Sequence, residues 1–116
     1  MRFFRSERVQ KLIREELAKI VIREMEFPGA LVTITEVAVD KKLEHAKVRV
    51  SVIPSAAADG ALDALKKRTG ELQYLLTRKI NIKPMPRIAF LPDHGPERAA
   101  VVEKLLDDDT MKEQKQ

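Results

Sequence analysis

Seven basic side chains fall between residues 66 and 87: Lys66, Lys67, Arg68, Arg78, Lys79, Lys83 and Arg87, against one acid, Glu71. Ammonium and guanidinium groups gathered in this way neutralise the phosphates of a nucleic-acid backbone and release its counterions. A clustered excess of bases is the electrostatic footprint of a polyanion binder. Arg5 and Arg8 near the N-terminus extend the set, and Lys47 and Arg49 alternate on one face of a strand. The candidate phosphate contacts are therefore Arg5, Arg8, Lys66, Lys67, Arg68, Arg78, Lys79 and Lys83, with Lys47 and Arg49 as outlying members. Gly70 interrupts the helical run that carries most of them. Glycine costs roughly 1 kcal/mol relative to alanine inside a helix, so its presence predicts a bend or a close approach there. The bland alternative is a solvated basic surface.

Residues for catalysis are sparse. The two histidines are His45, on the polar side of a strand, and His94, in a turn. Asp93 and His94 are sequence neighbours, which is poor geometry for an orienting pair. Asp107-Asp108-Asp109 is explained more simply as a solvated tail than as a cation site. With no cysteine there is no disulfide frame, zinc knuckle or thiol nucleophile. No phosphate-binding glycine loop, dinucleotide fingerprint or nucleophile elbow occurs. The reading is of a non-enzyme with no metal, cofactor or small-molecule substrate. Aromatics make up only 4% of the chain, which argues against strands that stack bases. Tyr74 is the one candidate stacker.

The elements that must position these residues follow from periodicity. Val9, Leu12, Ile13, Leu17, Ile20 and Val21 form one apolar stripe, predicting a helix from Ser6, as N-cap, to about Glu24. Phe27-Pro28-Gly29 stops it. Leu31 to Val39 is rich in β-branched residues. From Glu44 to Ile53, Ala46, Val48, Val50 and Val52 alternate with His45, Lys47, Arg49 and Ser51, predicting a half-buried strand and an antiparallel hairpin. A second helical run spans about Asp59 to Ile80 and keeps its apolar phase across Gly70, with Ser55 or Asp59 available as cap. Pro84 and Pro86 then force extended chain, and Arg87 to Leu91 reads as a third strand. Pro96 opens a short last helix carrying Ala99, Val102, Leu105 and Leu106. The fold class is α+β, a two-layer sandwich with helices on one face of a three-stranded sheet.

One hundred and sixteen residues make a single domain. Net charge is only +4, yet residues 66–87 carry +6 and residues 93–116 carry −3. No apolar run reaches membrane-spanning length, and the N-terminus is not a signal peptide. The expected setting is cytoplasmic.

The order α-β-β-α-bend-α-β resembles the type II KH fold, whose RNA-gripping loop is normally GxxG between two helices; here Gly70 stands alone. Further pieces are Arg5-x-x-Arg8-Val9, Leu31-Val32-Thr33-Ile34-Thr35-x-Val37 and Leu43-x-x-Ala46-Lys47-Val48-x-Val50-Ser51-Val52. Ile82-Lys83-x-x-Pro86-x-Ile88-x-Phe90-x-x-Asp93 completes them. Taken in order, over about Arg5 to Leu106, they resemble the ribosome-binding factor A family. The resemblance implies a KH-like RNA-binding domain over residues 1–106 and a kink at Gly70 in place of GxxG, while residues 107–116, with nothing to bury, are expected to form a disordered polar tail. It implies a monomeric assembly factor that binds the small ribosomal subunit and its rRNA late in maturation, near the decoding region. Help with 5′ end processing, departure before translation and a link to growth in the cold come with it. The chain departs from the family pattern at Arg68, where alanine is usual, and at Gln73, where a base is common; Arg68 is placed to supply the missing charge. Lys42 and Asp93-His94-Gly95 are further departures.

Two other readings compete. A generic KH-like module would bind short single-stranded RNA as well as a whole subunit. A protein-interaction domain would use an exposed strand edge, and its affinity would survive high salt.

Overall fold

The computed structural model describes residues 2–93. The expected last helix, His94 and the 107–116 tail lie outside that range. The element order is α1 (Arg2–Glu24), β1 (Leu31–Val39), β2 (His45–Ile53), a 3-10 turn (Ser55–Ala57), α2 (Ala58–Lys67), α3 (Thr69–Lys79) and β3 (Arg87–Pro92). The sheet order is β1-β2-β3. β1 pairs antiparallel with β2, and β3 pairs parallel with β2. A parallel neighbour requires a crossover, and α2 and α3 supply it. The result is the expected α+β, KH-like two-layer sandwich.

One core lies between the layers. α1 contributes Val9, Ile13, Leu17, Ile20 and Val21, β2 contributes Ala46, Val48, Val50 and Val52, and the crossover contributes Leu65, Leu72 and Leu76. Ile88 and Phe90 complete it from β3. Leu72 and Leu76, fully buried, each withdraw enough apolar surface to contribute about 1.5–3 kcal/mol.

Two turns are set by single residues. Gly29 holds φ +73, a left-handed conformation that glycine adopts at no steric cost, and so lets the chain reverse from α1 into β1. Leu43 adopts φ 59, which is strained for a residue with a Cβ. Burial of its side chain in the core offsets that strain.

β1 is not the uniform strand its composition predicts. The register shifts between Ile34 and Glu36, so that Thr35 is an extra residue. A bulge exchanges the two faces of a strand. Val32 and Ile34 therefore pack inward before it, and Val37 and Val39 after it. Thr35 Oγ1 donates to the Asp93 carboxylate and lies 3.3 Å from the Arg49 carbonyl oxygen, which ties the bulge to the end of β3.

Three expected details differ. Ser6 is no N-cap, because α1 begins at Arg2; its hydroxyl donates to the Val39 carbonyl at 3.4 Å, beside Gln10, whose Oε1 accepts from Val39 N–H at 3.0 Å. Neither Ser55 nor Asp59 caps α2, whose N-cap is Ala57 with no side-chain bond. Asp59 instead lies in the first turn, where a negative charge suits the helix dipole. Finally, the helical break falls at Arg68 (φ −103, ψ 13), and Gly70 lies inside the first turn of α3.

Candidate nucleic-acid interface

The break is where the second helical run changes partners: α2 packs on β2 and β3, while α3 packs on α1 and β3. The backbone barely interrupts there. Arg68 N–H donates to the Ala64 and Leu65 carbonyls at 3.3 and 3.1 Å, and Leu72 N–H donates to the Arg68 carbonyl at 2.9 Å. The Arg68 side chain then locks the corner. Its Nη1 donates to the Glu24 carbonyl at 2.7 Å, its Nε to Glu71 Oε1 at 2.9 Å, and its Nη2 pairs with Glu71 at 2.7 Å. The last turn of α1 and the first turn of α3 are thus joined through one guanidinium. Arg68, expected as a phosphate contact, has most of its donors engaged inside the fold.

Gln73 is the second clamp, and composition does not mark it. Its Nε2 donates to the Pro86 carbonyl at 3.0 Å, and its Oε1 accepts from Ile88 N–H at 2.8 Å. Both amide ends hold the start of β3 against α3. A base at this position would lose one of those bonds, since lysine and arginine have no acceptor.

At its far end α3 meets the start of α1. Arg5 Nη2 donates to the Lys83 carbonyl at 3.1 Å. With Glu24 at one end and Arg5 at the other, α1 and α3 run antiparallel. The basic residues that are close in sequence are consequently split. Lys66 and Lys67 sit at the break, whereas Arg78, Lys79 and Lys83 gather with Arg5 and Arg8 at the opposite end of α3, about 16 Å away at 1.5 Å per residue.

These groups differ in availability. Lys66, Lys79, Lys83 and Arg8 are exposed and make no ion pair among the described residues. Lys67 pairs with Asp63 at 3.6 Å across one helical turn, an exposed pair worth little. Arg78 sits over the Tyr74 ring, 5.7 Å from its centroid, with Nη1 donating to the hydroxyl at 3.2 Å.

Lys47 and Arg49 stand on the opposite side of the molecule, on the sheet face away from the helices. Arg49 pairs with Glu36 at 3.6 Å and reaches the Pro92 carbonyl at 3.5 Å. Arg87, opposite His45 in the ladder and exposed, joins them there. Its position inside the 66–87 run conceals this, because the crossover carries the chain from one layer to the other.

Asp40, Glu44 and His45 bring ligand-type atoms within 4.8 Å of one another, all exposed. Hydrogen bonds of the hairpin turn hold Asp40 and His45 together within that cluster. Asp40 Oδ1 accepts from the N–H groups of Glu44 at 2.7 Å and His45 at 3.2 Å, and its Oδ2 lies 3.1 Å from His45 Nδ1. The Glu44 N–H is the main reason the Asp40 carboxyl sits below its ordinary pKa, with His45 adding to the effect. No helix of the described residues is long and apolar enough to cross a membrane.

Comparison with known proteins agrees with this architecture. The family model of ribosome-binding factor A matches residues 5–106. Ribosome-binding factor A of Akkermansia muciniphila is 34% identical over 104 residues, covering 90% of this chain and 83% of that protein. The Opitutus terrae protein of the same name is 36% identical over 105 residues, covering 90% and 86%. The crystal structure of ribosome-binding factor A from Thermus thermophilus superposes with TM-score 0.64 at 26% identity, covering 75% of this chain and 94% of that one. A homology model of the Thermus thermophilus factor, fitted into a cryo-EM map of its 30S complex, gives TM-score 0.63 at 28% identity, covering 72% and 90%.

Proposed function

The chain belongs to the ribosome-binding factor A family, and from that premise we propose that it binds the small ribosomal subunit through rRNA phosphates. It acts there late in maturation, assisting 5′ end processing as a monomeric binding protein and not as an enzyme, in the cytoplasm. The observation that carries the reading is a family match over nearly the whole folded chain, joined to a structural neighbour fitted into a 30S complex. The geometry supports it with exposed bases at both ends of α3. Lys66 and Lys67 lie at one end and Arg5, Arg8, Arg78, Lys79 and Lys83 at the other, a spacing suited to two stretches of backbone on a structured RNA. Lys47 and Arg49, on the opposite face, belong to a separate contact. Arg68 acts mainly by holding the corner that presents its neighbours.

The test is charge reversal. Replacing Lys66, Lys67 and Lys79 with glutamate leaves the circular-dichroism spectrum unchanged and weakens small-subunit binding. It also flattens the slope of log affinity against log salt by roughly 2–3 units, since each phosphate contact contributes about 0.7–0.9. Unchanged affinity in that triple variant would remove these side chains from the interface.

One observation favours a second reading. Beside β1, an edge strand, an apolar cleft of about 270 Å³ is lined by Ala18, Ile22, Leu31 and Ile34 among others. Ile22 and Leu31 are 79% and 63% exposed. A protein partner adding a strand there would bind with little salt dependence, the opposite of the RNA contact.

A further inference from the structure

Nothing among the described residues calls for glycine at position 70. It is helical, its φ is not positive, and among the described residues a Cβ built on it meets nothing within 4 Å outside the helix's own nearby backbone. Glycine is the poorest ordinary helix former, so neither the bend, which lies at Arg68, nor internal packing calls for it. What the missing side chain leaves is room on the surface.

That room has a defined neighbour. Residues four apart share a helix face, which places Gly70, Tyr74 and Arg78 in one column along the exposed side of α3. Tyr74 is 58% exposed, although a large ring gains by burial. Arg78 lies over the ring from the C-terminal side and bonds its hydroxyl, which restrains the side chain. Helical side chains lean toward the N-terminus, so the ring's uncovered side is turned toward Gly70. The surroundings favour a nucleotide: Lys66 and Lys67 precede the column and Arg78 and Lys79 close it. The nearby acid, Glu71, is neutralised by Arg68 at 2.7 Å.

We infer that Gly70, Tyr74 and Arg78 form a stacking slot for one unpaired RNA base. The base lies against the open face of Tyr74 in the space above Gly70, its own phosphate meets Arg78, and Lys66 or Lys67 meets backbone further along the strand. This deepens the RNA-binding reading above and rests on it. It adds a preference for unpaired bases that backbone contacts alone do not give, since every base offers a π face only when unstacked.

The experiment compares wild type, Tyr74→Phe, Tyr74→Ala and Gly70→Leu on small ribosomal subunits and on two RNA hairpins of equal phosphate number. One hairpin has a fully paired stem, and the other carries unpaired adenines in it. Tyr74 is the only tyrosine and there is no tryptophan, so tyrosine fluorescence reports this one ring. The slot predicts quenching by the unpaired hairpin and not by the paired one. Tyr74→Ala loses about 5- to 150-fold in affinity for subunits and for the unpaired hairpin, and Tyr74→Phe keeps most of it. Gly70→Leu, a better helix former in open space, stays folded and loses the preference. Wild-type affinity in Tyr74→Ala would overturn the slot while leaving the basic contact standing. Subunit binding lost in Tyr74→Ala without any preference for unpaired bases would also overturn it, marking Tyr74 as a protein contact. Failure of wild type to bind subunits at all would sink both the slot and the reading beneath it.

Discussion

At the scale of single residues, the guanidinium of Arg68 shows how a side chain of the right type serves the fold before it serves a ligand. Its bonds to the Glu24 carbonyl and to Glu71 are charge-assisted, and such bonds contribute about 1.5–3 kcal/mol each when their partners are shielded from water. Arg68 is one-third exposed, so the lower end applies. Arg68→Ala is expected to lower stability by roughly 1–2 kcal/mol in urea unfolding. Arg68→Lys is expected not to restore it, because an ammonium cannot reproduce a planar fork that reaches two partners. Asp40 gives a pH-dependent counterpart. Its carboxyl is held below the ordinary value by the Glu44 N–H and then by His45. A depressed carboxylate stabilises the fold above its unfolded pKa, and that contribution disappears as pH falls through the lowered folded value. Thermal unfolding followed down from neutral pH should therefore lose stability in the acid range, and Asp40→Asn should remove that part of the acid dependence.

At the scale of elements, what is legible in the sequence is whatever repeats with a fixed period. The alternation of Ala46, Val48, Val50 and Val52 marks β2 and its wet face, and the stripe from Val9 to Val21 marks α1. The bulge at Thr35 is not legible, because it depends on how β1 pairs with β2 and on a hydroxyl reaching Asp93 from fifty-eight residues away. Residue type points to Gly70, the usual breaker, for the interruption between α2 and α3. It lies at Arg68 because the helix turns where its packing partners change, and no local residue type marks that place. The division of the bases into separate patches is hidden for the same reason: sequence distance does not say which end of a helix a neighbour occupies. A consequence is measurable. Since Gly70 is helical and its missing Cβ meets nothing among the described residues, Gly70→Ala should raise stability by about 0.5–1 kcal/mol in denaturant melts. Destabilisation would show that α3 needs the glycine. Leu72→Ala, at a fully buried site on α3, should cost about 2–5 kcal/mol.

At the scale of the whole molecule, a small sheet serves as a plate, and an antiparallel helix pair on it presents bases at both ends of α3. Net charge of +4 is modest, so affinity for RNA must come from where the charges stand and not from their sum. The proposed function requires these charges to fit a free small ribosomal subunit. Co-sedimentation of the protein with isolated small subunits and with joined ribosomes, at low and at moderate salt, is the decisive measurement. Binding to free small subunits is expected, weakening steeply with salt and lost once the subunits are joined. Binding that persists unchanged at moderate salt, or no binding to free subunits at either, would contradict it.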